Sequence, residues 1–281
     1  MRQILIALAI LWAGAAHASQ ITILSIDSRW EVQNVVDTYN RNRNANLTGD
    51  KTNEIRWGES FRGNQPRSGF KFEETAVGAK HRANKLFDVG VFTHMNRVIF
   101  QGEHVDRARL NMSVRASFFD GKKHVERTFV TSYMFSLWET PNYQNPRCAN
   151  RERNGVDRLG RSQPGGSTLN QNGCADRVQL LQNDALTDKF KHNGLTYEFQ
   201  LFGFDSGAQF WTIEDLDNDT WLKARFKVTG RPPVSPPPVS PPPVSPPPVS
   251  PPVSPVPLPA GAWLLIAALG GLGVLRRRAR A

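Results

Sequence analysis

The chain has 281 residues, 39% hydrophobic and 21% charged, with only two cysteines and a formal charge of +10. Six of its 35 basic residues (Arg2, Arg231, Arg276, Arg277, Arg278 and Arg280) lie near the two ends, so residues 19–230 hold 29 basic against 25 acidic groups. Nucleic-acid binding is therefore not expected, and a thiolate zinc site is excluded because no second cysteine pair and no C-x-x-C exist.

Residues 1–18, MRQILIALAILWAGAAHA, read as a signal peptide. Arg2 supplies the positive start, residues 4–16 the apolar core, and Ala16-His17-Ala18 the small-x-small pattern. Cleavage is expected between Ala18 and Ser19, which places the main body outside the cytoplasm.

Residues 19–230 are long enough for one sizeable core. Over 108–119, Ala108, Leu110, Met112, Val114, Ala116 and Phe118 alternate with Arg109, Asn111, Ser113, Arg115 and Ser117. Period two predicts a strand with one buried and one wet face, and Asp120-Gly121 signals a turn. Residues 128–138, TFVTSYMFSLW, are apolar or small on both faces, which predicts an interior strand. Residues 147–173 are polar and rich in Gly and Asn, and read as a loop. Arg147, Arg151, Arg153, Arg158 and Arg161 cluster there, either as a contact for anionic polysaccharide or lipid or as a solvated loop surface. Cys148 and Cys174 flank this loop, and an oxidising compartment predicts a disulfide. Closing such a loop contributes roughly 3–4 kcal/mol in the chain-entropy model. Strand periodicity returns at 197–201 and at 222–228, where Leu222, Ala224, Phe226 and Val228 alternate with lysine and arginine. No long segment has helical periodicity. The expected fold class is all-β, a single β-sandwich of jelly-roll type.

Two groups of side chains suggest chemistry. His94, Glu103, His104 and Asp106 have the chemistry of a metal or acid–base site, but they lack helical H-x-x-x-H spacing. The simpler expectation is that Thr93, His94 and Asn96 tie down a strand end. Glu214, Asp215, Asp217 and Asp219 suggest a calcium loop, with Asp215, Asp217 and Asp219 as the ligands. An EF-hand fails, because Thr220 and Phe226 stand where glycine and glutamate are needed. The bland expectation is an acidic hairpin turn. No nucleophile elbow, phosphate loop or dinucleotide fingerprint occurs.

Residues 231–255 hold repeated PPPVS units, which favour polyproline II. At ~3.1 Å per residue, the stretch 232–257 spans about 80 Å as a stiff stalk. Residues 256–281 follow as Val256-Pro257-Leu258-Pro259-Ala260, an apolar run to Leu275, and Arg276, Arg277, Arg278 and Arg280. Counted from Pro259 to Leu275, a helix here is about 25 Å long, enough for a marginal membrane span. Its arginines are expected to stay cytoplasmic.

The three ordered parts of this tail resemble the VPLPA variant of the PEP-CTERM sorting signals. That resemblance implies a bacterial surface or exported protein whose tail is removed by an exosortase-type membrane protease. Within 19–230, the strings EIRWGES, SGFKF, FDVGVFTHMNRVI, TPN…GCADRV and FWTIEDLDNDTWL resemble the choice-of-anchor K domains of bacterial surface proteins. Phe92, Thr93, His94 and Asn96 lie in the most specific string, and Val98 stands where the family usually has proline. The family has no established activity, so this likeness implies only fold and location.

The expectation is a non-catalytic module, exported to the cell surface or matrix, with no cofactor and with extracellular polysaccharide as a candidate partner. The alternatives are a secreted hydrolase using His94 or Glu214, and a calcium-dependent glycan-binding module.

Overall fold

The computed structural model describes residues 20–38, 45–60, 66–100, 102–119, 123–143 and 146–230, with only the backbone of 183–185. The signal-peptide site (Ala16, Ala18, Ser19), the Asp120-Gly121 turn, the stalk, the sorting motif Val256–Ala260 and the tail arginines lie outside the described residues. Among the described residues, no helix is long and apolar enough to cross a membrane.

The described residues form twelve strands: β1 Gln20–Asp37, β2 Glu54–Trp57, β3 Ser68–Glu74, β4 Lys80–Arg82, β5 Phe87–Asn96, β6 Glu103–Phe119, β7 His124–Trp138, β8 Asp176–Thr187, β9 Lys189–His192, β10 Leu195–Phe204, β11 Gln209–Thr212 and β12 Leu216–Gly230. A single 3-10 turn, Thr168–Asn170, interrupts this all-β pattern. The strands make two six-stranded sheets, in the orders β11-β8-β7-β6-β1-β4 and β2-β3-β5-β12-β10-β9. Every pairing between strands is antiparallel.

The alternation predicted for 108–119 is the inward row of β6, where Ala108, Leu110, Met112, Val114, Ala116 and Phe118 are all buried. Likewise Leu222, Ala224 and Phe226 of β12 are buried, and Lys223, Arg225 and Lys227 face away. The prediction for 128–138 holds for the middle of β7 and fails at its ends. β7 lies inside its sheet, between β6 and β8, and residues 131–135 are buried on both faces. Val130 and Trp138 are exposed, whereas Phe129, Tyr133, Phe135 and Leu137 point into the core. Towards its ends the strand keeps its outer face in water.

The inner faces of the two sheets close on one core made largely of aromatic rings. Trp30 of β1 contacts Phe70 of β3 at 5.5 Å and Phe92 of β5 at 5.8 Å, and Phe92 stacks on Phe135 of β7 at 5.4 Å. Tyr133 of β7 also crosses the layer, donating its hydroxyl to Phe199 O (3.1 Å) and accepting from Leu201 N (2.8 Å). Burial pushes its phenol up to about 12, so it remains a neutral bridge. Gly90 is required for space. A Cβ there would meet the Phe72 ring at 2.6 Å and collide with Glu73 O on β3.

Candidate functional site

The connection from β7 to β8 carries most of the distinctive chemistry. Cys148 and Cys174 are bonded within it, their Cα atoms 5.1 Å apart, and no free cysteine remains. The polar composition of 147–173 conceals a built structure. Asn170 is fully buried; its Oδ1 accepts from Asn150 Nδ2 and Ala175 N, both at 3.0 Å. Asn154, also buried, donates to Asn142 O at 2.7 Å and accepts from Val156 N at 3.1 Å. Asparagine can satisfy loop backbone groups from both ends of its amide, so these residues replace the missing sheet ladder.

The clustered arginines divide among separate tasks. Arg161 pairs with Asp157 at 2.6 Å, Arg147 donates to Arg151 O at 3.2 Å, and Arg153 and Arg158 line a cavity of about 390 Å³ with Tyr143 and Gln163. Asp157 is held below the usual carboxylate range by its bonds from Arg161.

Beneath this loop, three acids from separate segments meet. Glu139 follows β7, Asp176 begins β8 and Glu214 precedes β12. Asp176 and Glu214 are fully buried. Asp176 Oδ1 accepts from Thr140 N at 2.7 Å, and the carboxyl of Glu139 lies beside that of Asp176. Glu139 Oε2, Asp176 Oδ2 and both oxygens of Glu214 have no donor. Carboxylates can only accept, so a pair of them is satisfied only when a proton lies between them. Burial pushes Asp176 up to about 7. Burial first, and then the neighbouring carboxylates, holds Glu139 and Glu214 well above the usual range. A general acid must reach its substrate within hydrogen-bonding distance. Asp176 and Glu214 expose no surface through which that could occur. Burial therefore favours the protonated form of all three acids.

The residues singled out at 92–96 line the neighbouring strand end. Phe92 is a core ring. His94 Nδ1 lies 2.8 Å from Thr212 Oγ1, with its ring 5.3 Å from that of Phe70 and 6.2 Å from that of Trp57. Asn96 donates to Thr212 O at 3.2 Å, and Thr93 donates to Asp219 at 2.6 Å. These bonds tie β5 to β11 and β12. Burial lowers the His94 imidazole to about 3, so it is neutral in ordinary solution. Glu103, His104 and Asp106 do not join it. They lie on β6, in the other sheet.

The acidic segment 214–219 is not one turn with all its carboxylates together. Asp215 alone occupies a left-handed turn position, with φ of 62°. β12 starts at Leu216, so Asp217 and Asp219 stand on a strand, where Asp217 pairs with Arg97 and Asp219 accepts from Thr93. Glu214 turns inward to Asp176. Among the described residues, no group of three His, Cys, Asp or Glu side chains is arranged to hold a metal ion.

The sequence reading missed Glu139 and Asp176. Each adjoins an exposed or half-buried residue of a strand end, and they become neighbours only when β7 pairs with β8. No protein-family model matches the chain, and no curated protein matches it.

Proposed function

We propose that this chain is an exported bacterial surface protein of choice-of-anchor K type, with a jelly-roll-like domain at 19–230 that is displayed rather than catalytic. Its leader, 1–18, directs export. Its proline stalk, 231–255, holds the domain away from the membrane. Its tail, 256–281, anchors the precursor through an apolar helix and is the substrate of an exosortase-type protease. No cofactor is needed for this role, and the outer surface serves contacts with extracellular polysaccharide.

The Cys148–Cys174 bond is the observation that supports this reading most directly. Structural disulfides persist in oxidising compartments and are rare in the cytosol. The absence of a free cysteine agrees with a chain made for such a compartment. The burial of Asp176 and Glu214 favours a displayed module over a hydrolase, because a catalytic carboxyl has to meet its substrate.

Intact-mass measurement on protein recovered from fractionated cells tests the reading. Loss of residues 1–18, two hydrogens fewer than the dithiol mass, and a shortened C-terminus in the surface or medium fraction are expected. Native protein in the cytosol, with the leader attached and both thiols free, would overturn it.

A further inference from the structure

The outer face of the first sheet carries an aromatic and cationic row. Trp138 of β7 is directly opposite Arg177 of β8, which is directly opposite Trp211 of the edge strand β11. Three residues in one cross-strand row share a face. That face is the outer one, because Val178, Leu180 and Phe210, the alternating neighbours, pack in the core. The two indole rings are 6.1 Å apart, with the Arg177 guanidinium 4.6 Å from Trp138 and 5.9 Å from Trp211. Trp138 leaves 45% of its surface in water.

The next row on this face is Ser136, Gln179 and Gln209, with Arg107 opposite Ser136, and Arg109 lies one row further on. The strip therefore combines aromatic faces, amides and a hydroxyl with three guanidinium groups. Glu31, opposite Arg109, already accepts from Asn111.

Packing alone accounts for a cation on a ring, and the opposite sheet has such a case. Arg225 stacks on Phe202 at 5.3 Å, but it also donates to Gln200. Arg177 differs. Among the described residues it has no hydrogen bond and no ion pair, and its Nε is buried without a partner. A guanidinium presents five donors suited to a carboxylate. Here the rings hold it in place and leave its terminal N–H groups unused.

We infer that the Trp138–Arg177–Trp211 row binds an acidic polysaccharide, with sugar rings lying on the indoles and a uronate carboxylate on Arg177. Indoles offer broad apolar faces with a polar edge. Arginine adds charge-assisted, geometrically selective bonds to a carboxylate. The glutamines and Ser136 are placed to meet sugar hydroxyls. The inference deepens the display reading and rests on it, because a polysaccharide ligand is met outside the cell.

The test is calorimetric titration of the mature protein, purified from cells, with galacturonate oligomers, with neutral dextran oligomers as a control. The wild type should bind the uronate oligomer and lose affinity as salt rises. Arg177→Gln should weaken binding about tenfold, the cost of one charge-assisted contact. Trp138→Ala should weaken it comparably. Trp138→Phe, which keeps a ring on a solvent-facing position, should restore most of the affinity and serves as the check should the alanine variant fold poorly. The inference is overturned by no binding of the uronate oligomer, by equal binding of dextran, or by unchanged affinity in Arg177→Gln. A surface-located protein that fails this titration would sink the ligand assignment alone; a cytosolic protein would sink the display reading.

Discussion

Asp176→Asn should stabilise the domain in neutral and mildly alkaline solution and leave it nearly unchanged in mild acid. The folded chain holds this carboxyl proton up to about pH 7, whereas the usual aspartate value is 3.8. The native state therefore binds more protons than the unfolded state between those values, and stability falls as pH rises through that window. At 1.36 kcal/mol for each tenfold change in proton affinity, the full penalty above pH 7 is roughly 4 kcal/mol. Asparagine has the same shape, keeps an oxygen for Thr140 N, and offers Glu139 a permanent donor in place of a proton. The stability gap between variant and wild type should thus grow from near zero at about pH 4 to about 2–4 kcal/mol at about pH 8. For a domain of this size, that corresponds to about 5–15 °C in Tm. Urea or thermal unfolding of both proteins, followed by circular dichroism at several pH values, measures the gap. A gap that does not change with pH would refute the buried-proton reasoning.

The difference curve matters because His94 acts in the opposite direction. Its folded value is lowered to about 3 by burial. The unfolded chain then takes up this proton first, so the stability contributed by neutral His94 is lost as pH falls from about 6.5 towards 3. The Asp176 window runs from 3.8 to about 7 and the His94 window from about 3 to 6.5, so the two overlap and oppose each other. Wild-type stability by itself therefore does not isolate the contribution of the acids. Comparing Asp176→Asn with wild type cancels the histidine contribution, which is common to both.

Replacing Cys148 and Cys174 together by alanine should cost roughly 3–4 kcal/mol in urea unfolding, in line with the chain closed between them; an equally stable variant would show that the asparagine bonds alone hold the loop. Trp30→Ala should cost about 3–5 kcal/mol, because the ring is fully buried among Phe70, Phe92 and Phe135 of both sheets; a much smaller loss would mean that the layers are not locked at this point. Adding calcium, or stripping it with a chelator, should leave Tm unchanged, since Asp217 and Asp219 already have partners; a rise with calcium that is lost in Asp217→Ala would reverse this assignment.

Legibility in the sequence followed the regularity of the strands. β6 and β12 keep one parity along most of their buried rows, so period two is plain in 108–119 and 222–228. β1, the longest strand, has no such pattern over its whole length. Its buried residues are odd-numbered at Ile21 and Ile23, then even-numbered at Ile26, Ser28 and Trp30, because the register shifts between Ile23 and Ser25. One extra residue inverts the faces and hides the alternation. β5 fails for another reason: both its faces are covered near Asn96, so Phe92 through Asn96 are all buried and no alternation remains. The acidic turn misled because spacing along a chain was read as proximity. Once strand geometry is imposed, Asp217 and Asp219 leave on a strand while Glu214 turns inward.

The buried acids and the outer row are two faces of the same strand ends. Trp138 adjoins Glu139, and Arg177 adjoins Asp176. Successive residues on an extended chain point to opposite sides, so the chain that presents the indole and guanidinium to solvent also sends carboxyls inward. The bond from Thr140 N to Asp176 Oδ1 ties these two ends together, while Thr140 Oγ1 donates to Cys174 O at 2.9 Å. The disulfide and the Asn170 hub then hold the connection closed. Such fixed backbone lowers the ordering cost of binding, because the ring spacing exists before any ligand arrives. The inner acids destabilise the same framework when ionised, and protonation in mild acid removes that cost.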